Sequence, residues 1–154
     1  MGRKKVNELN YQNWVINTIL TNGGYAHKMS HRFIIGVSDL MIKLPKHPAT
    51  LLEVKLQHIG ITTSAQHCFQ LDVTKIQQNF LLRYYNVGMA CGVMSFIERG
   101  RKGRRAAGMQ IYSMPELTEL NYRVQVDNHQ FDLTDASLYD MVDAATGSGR
   151  LQRT

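Results

Sequence analysis

The chain has 154 residues, enough to bury a core as one domain of common size. Its composition is globular, at 44% hydrophobic and 19% charged, with no apolar run long enough to span a bilayer. A formal net charge of +6 favours an acidic partner, with nucleic acid first and an anionic membrane surface second.

The opening MGRKKVNELNY is basic without an apolar stretch behind it, so it does not read as a secretory signal. It also lacks Ser or Thr at position six, which makes it a poor acylation match. Two cysteines, Cys68 and Cys91, suit a reducing compartment better than a disulfide framework, and a cytoplasmic site of action is expected.

A first helix is expected from about Asn7 to Thr21, with Leu9, Val15, Ile16, Ile19 and Leu20 near one face and NGG at 22–24 as its stop. HRFIIGVSDLMIKL, 31–44, is strand-like, and Gly36 permits a bend. PKHP, 45–48, is a turn with a proline at each end, and ATLLEVKLQ, 49–57, is the next strand. Residues 57–73 show no decisive period and read as a long loop. Thr74 can cap a second helix over about Lys75 to Asn86, where Ile76, Phe80 and Tyr84 fall at helical spacing. MACGVMSFIE, 89–98, reads as a buried strand, and GMQIYSM, 108–114, as its return. YRVQVD is a polar strand before a last amphipathic helix near Thr134 to Ala145, and the tail 146–154 reads as frayed. This order predicts one α/β domain over 1–154, its core about 7–114, with a central mixed sheet flanked by helices. The step from strand 50–57 through helix 75–86 to strand 89–98 suggests a parallel crossover.

Within TLLEVKLQ, Leu52, Val54 and Leu56 alternate with Glu53 and Lys55. A hairpin turn centred on Lys46 places Asp39 directly opposite Glu53, on the same face and roughly 4.5–5.5 Å apart at Cβ. Lys55 shares that face, while Leu40, Ile42 and Leu44 meet Leu52, Val54 and Leu56 on the other. Two carboxylates at that spacing repel unless a cation lies between them. Oxygen ligands from one or two carboxylates are what Mg²⁺ prefers, and the Val54 carbonyl can add another. Lys55 is then placed to orient a hydrolytic water and offset charge on a phosphate. Glu-x-Lys alone is common on exposed strands, where such a pair is worth roughly 0–1 kcal/mol. The facing Asp39, the apolar reverse face and the basic chain set this one apart.

These residues carry a family resemblance. GVSD at 36–39, LLEVK at 51–55 and TKIQQNFL at 74–81 together resemble the PD-(D/E)XK nuclease superfamily, above all VRR-type nucleases and the phage and archaeal Holliday-junction resolvases. The likeness covers roughly Glu8 to Phe96, and Ser38 stands where a proline is commoner. It implies a restriction-endonuclease-like core of αβββαβ type. It implies that Asp39, Glu53 and Lys55 are the catalytic acid, acid and lysine. It further implies that Gln77 reaches the centre from the following helix and that Glu8, with Gln12 one turn later, serves near the metal. Mg²⁺ is the expected cofactor, with Mn²⁺ able to substitute.

DNA is the expected substrate. Arg3, Lys4 and Lys5, and the Gly-spaced loop of Arg99, Arg101, Lys102, Arg104 and Arg105, are the expected backbone contacts. The resemblance points to branched DNA cut by a homo-oligomer. A sequence-specific homing-type endonuclease on the same core, a non-catalytic DNA-binding module and an RNA-directed nuclease are the alternatives. No membrane partner is expected, and the six histidines show no zinc-ligand spacing with the cysteines.

Overall fold

The computed structural model describes residues 2–29, 36–100 and 107–153, with side chains from Glu8 onward. Helix α1 spans Gly2–Thr21. It starts earlier than the apolar spacing suggests because the Arg and Lys residues before Asn7 are good helix formers and nothing there breaks the turn. Gly23, at φ +84°, takes the left-handed conformation that ends it. A strand not expected from the sequence follows: β1, Tyr25–Lys28, in which only Ala26 is buried. Four residues with one inward side chain give no readable period.

β1 pairs antiparallel with β2, Leu40–Lys43, and β2 with β3, Thr50–Ile59. The β2–β3 register is Leu40 to Leu52, Met41 to Leu51 and Ile42 to Thr50, as expected for a turn about Lys46. In that turn the His47 N–H donates to the Leu44 carbonyl at 3.2 Å, and Lys46 sits at φ 65° behind Pro45. The His47 ring lies 2.7 Å from Asp143, which fastens the turn to helix α4, Asp135–Gly147.

β3 then pairs in parallel with β5, Ala90–Arg99, along its full length, and helix α2, Lys75–Asn86, makes the crossover. β6, Ala107–Ser113, closes the sheet antiparallel to β5, giving the order β1-β2-β3-β5-β6. The protein is therefore a mixed α/β fold with a five-stranded central sheet flanked by helices. Residues 57–73 are not all loop. β3 reaches Ile59, and β4, Cys68–Gln70, pairs with β7, Arg123–Gln125, in a separate two-stranded ribbon. Helix α3, Met114–Leu120, is also additional to the sequence reading.

The sheet has an apolar layer on each face. On one, Leu52, Val54, Leu56, Met94 and Phe96 pack against Val15 and Ile19 of α1 and Leu138 and Val142 of α4. On the other, Leu51, Val93, Ile97 and Tyr112 pack against Leu81 of α2, Leu117 of α3 and the ribbon residues Phe69 and Val124. Alternation along each strand feeds both layers.

The tail is a correction to the sequence reading. Helix α4 runs on to Gly147, and Leu151 beyond it is buried among the residues of the α1–α4 layer. The Leu151 carbonyl accepts from Cys91 N–H at 2.9 Å, and Arg150 reaches Glu116 at 2.9 Å. A tail rich in Gly, Ser and Arg looks polar in sequence, yet its one leucine is an anchor. Leu151→Ala should therefore destabilise the fold by about 2–5 kcal/mol in urea unfolding, whereas a truly frayed tail would show almost no change.

Candidate active site

Asp39 immediately precedes β2, and Glu53 and Lys55 lie mid-way along β3 on the face that α2 covers. A strand residue points its own N–H and C=O to the same edge. Leu52 is the last β3 residue paired with β2, so Val54 is the next whose backbone faces that edge. Its N–H donates to Asp39 Oδ2 at 2.8 Å. The carboxylate thus takes the place of the next β2 backbone partner, and the Val54 carbonyl looks out beside it.

Gly36 fixes the approach of this segment. It sits at φ +86°, and a Cβ there would come within 2.5 Å of Ile76 Cγ2. Only glycine suits a left-handed backbone pressed so closely on the first turn of α2. The contact brings the Asp39 segment beside Gln77. Gln77 Nε2 donates to Glu53 Oε1 at 2.8 Å, and Lys55 Nζ lies 3.5 Å from the same oxygen. The neighbouring Gln78 turns away, donating to the Val73 carbonyl. Asp39, Glu53, Lys55 and Gln77 are thus gathered in one place.

Glu53 is 1% exposed; no donor among the described residues reaches its buried Oε2, and its carboxyl stands within hydrogen-bond reach of Asp39. Burial, then the adjacent Asp39 charge, pushes its carboxyl up to about 9, against the opposing pull of Lys55. Two adjacent carboxyls held out of water cannot both ionise unaided, so near pH 7 the metal-free pair keeps a proton that a bound cation would have to displace. The donors at hand, Asp39, Glu53 and the Val54 carbonyl, are all hard oxygens, so the residues fit a Mg²⁺-type ion. No group of three or more His, Cys, Asp or Glu gathers to hold a metal among the described residues. Mg²⁺ needs no such cage, since it keeps several waters.

Glu8 is half-buried on α1, which packs on the opposite face of the sheet. One turn further along that helix, the Tyr11 ring stacks on Phe96 and its hydroxyl donates to Glu98 Oε1 at 2.6 Å. The backbone of Arg3, Lys4 and Lys5 is in α1, but their side chains lie outside the described residues, as do Arg101, Lys102, Arg104 and Arg105. The Arg99 guanidinium is already engaged, donating to the carbonyls of Thr63 at 2.8 Å and Ile61 at 3.4 Å. It ties down the loop after β3.

One neighbour had no sequence signal. Ser95 stands beside Lys55 in the parallel register, and its Oγ lies 2.9 Å from His129 Nε2. His129 Nδ1 faces the Gln125 carbonyl at 3.1 Å. A carbonyl only accepts, so Nδ1 carries the proton and Nε2 accepts from Ser95. Burial pushes this histidine down to about 4, so it is neutral near pH 7. The last third of the chain thereby backs the strand next to Lys55.

No protein-family model matches the sequence, and no curated protein matches it. Among solved structures, the chain is similar to Archaeoglobus fulgidus Hjc, a Holliday junction resolvase from an archaeal hyperthermophile. The TM-score is 0.44 at 10% identity, over 81% of this chain and 96% of that one.

The Glu53 shift has a thermodynamic consequence. Its folded-state value, about 9, exceeds its ordinary value of 4.5, so the folded chain holds this proton more tightly than the unfolded one. Metal-free protein should lose stability as pH rises from 4.5 towards 9. Thermal unfolding in chelator should show that slope for wild type, and Glu53→Gln should flatten it. Parallel slopes for the two proteins would contradict the assignment.

Proposed function

We propose that this protein is a Mg²⁺-dependent DNA endonuclease of the PD-(D/E)XK type, hydrolysing phosphodiester bonds in branched DNA and acting as a homo-oligomer. The observation that carries the reading is the convergence of Asp39, Lys55 and Gln77 on a buried Glu53 carboxyl. Asp39, Glu53 and the Val54 carbonyl would hold Mg²⁺. When bound, the ion supplies Lewis-acid stabilisation of the charge that develops on the phosphate.

The chain's own residues do the rest. Lys55 is half-buried beside Glu53, where its ammonium can hold an attacking water and offset negative charge in the transition state. Gln77 gives Glu53 Oε1 a hydrogen-bond donor and keeps that carboxylate aimed. Val54 N–H keeps Asp39 from turning away. The net charge of +6 supports attraction to a polyanion and predicts steep salt dependence of DNA binding. Among the described residues no helix is long and apolar enough to cross a membrane. Cutting both strands of a duplex takes two centres, which supports an assembly of two or more copies.

Cleavage of a four-way junction, a random-sequence duplex and an RNA duplex by one preparation tests the substrate. Junction cutting indifferent to sequence is expected. Cutting at one duplex sequence alone would favour the homing-type reading, and RNA cutting alone the RNA-directed one. In plasmid nicking with Mg²⁺ or Mn²⁺, Lys55→Ala should lose on the order of 10²–10³-fold in rate, and Asp39→Asn should lose the metal response. Wild-type protein that binds DNA yet never cuts it with any divalent ion would leave the non-catalytic module.

A further inference from the structure

We propose that Thr74 is a positioning residue for this centre: its helix cap sets which end of the Gln77 amide faces Glu53. The proposal rests on the nuclease reading.

Helices α2, α3 and α4 each begin with a capping box, Thr74 with Gln77, Ser113 with Glu116 and Thr134 with Ser137. In such a box the third helical residue's side chain reaches back to the cap N–H. At α2 that side chain has a second task. Gln77 Oε1 accepts from Thr74 N–H at 3.0 Å, while Thr74 Oγ1 accepts from Gln77 N–H at 3.2 Å. The other end, Nε2, is left to donate to Glu53 Oε1 at 2.8 Å.

An amide has one accepting and one donating end. Turned over, it would set NH₂ against the Thr74 N–H, donor against donor, and its oxygen against Glu53 Oε1, which repels it whenever Glu53 is ionised, as a metal ligand must be. The Thr74 N–H therefore decides the orientation. The same logic explains the residue type. A glutamate at 77 would complete the cap equally well, but would face Glu53 with like charge. At α3, away from the centre, the equivalent residue is Glu116, and its carboxylate pairs with Arg150. A motif that elsewhere only starts a helix here also aims a donor at the candidate metal ligand.

Matched variants test this. Thr74 has φ −64°, within the range a proline adopts, so Thr74→Pro removes the N–H and hydroxyl and sets a ring carbon where the Gln77 oxygen now docks. Thr74→Ser keeps both. Thr134→Ala removes the cap of α4, far from the centre. Three quantities are read below the melting temperature of every variant: kcat and KM on a DNA junction, Mg²⁺ affinity by calorimetry on full-length protein, and the Gln77 side-chain amide signals by NMR. Thr74→Pro should lose about 10- to 100-fold in kcat or Mg²⁺ affinity, with KM unchanged. Its Gln77 side-chain amide protons should lose the wild-type chemical shifts and their slow exchange with solvent. Thr74→Ser should behave as wild type, and Thr134→Ala should lose only thermal stability. Gln77→Glu should keep the helix and lose kcat.

The proposal is overturned if Thr74→Pro keeps wild-type kcat, Mg²⁺ affinity and amide signals, or if Thr134→Ala lowers the first two as much. Wild-type protein that binds Mg²⁺ but cuts no DNA would instead sink the nuclease reading. The calorimetric and amide comparison would then still decide the role of Thr74.

Discussion

One buried carboxylate organises this structure. Glu53 sits at the middle of a strand whose apolar residues, Leu51, Leu52, Val54, Leu56 and Ile59, feed layers on both faces. Removing a charge from water costs several kcal/mol unless partners replace the solvent. Those partners come from three separate stretches of chain: Asp39 ahead of β2, Lys55 two residues along β3, and Gln77 at the start of α2. Their convergence explains local features that look unrelated. Gly36 must be glycine to bring the Asp39 segment against Ile76. Val54 N–H must lie beyond the end of the β2 ladder for Asp39 to reach it.

The partners do not balance the site. Lys55 supplies one positive charge, too little for Asp39 and Glu53 both to ionise, so the Glu53 carboxyl keeps its proton near pH 7 in the absence of a further cation. A protein with no use for this arrangement would give up little by a leucine there, since well-packed apolar residues often replace buried charges without loss. Retaining the imbalance makes sense where a cation completes it, and a +6 chain is suited to bring a phosphate backbone to that cation.

Much of this was legible in the sequence, for identifiable reasons. Strict alternation in TLLEVKLQ fixed which residues share a face, and two prolines around Lys46 fixed the hairpin register that sets Asp39 against Glu53. Thr74 marked the start of α2 at its true position because capping chemistry is local. β1 escaped because four residues with one buried side chain carry no pattern. Helix α3 is hard to read although Ser113-x-x-Glu116 announces it, because its seven residues merge with the apolar strand before them. His129 beside Ser95 has no local signal, since the two lie thirty-four positions apart in sequence. Leu151 in its polar tail was invisible for the same reason: long-range burial leaves no local period.

The account is tested most directly by locating the ion. Crystals grown without divalent cations and then soaked in Mn²⁺ should show one anomalous peak within bonding distance of both Asp39 and Glu53 carboxylates, with the Val54 carbonyl turned towards it. Refined coordinates in which those two carboxylates point apart, with no peak between them at saturating Mn²⁺, would contradict it.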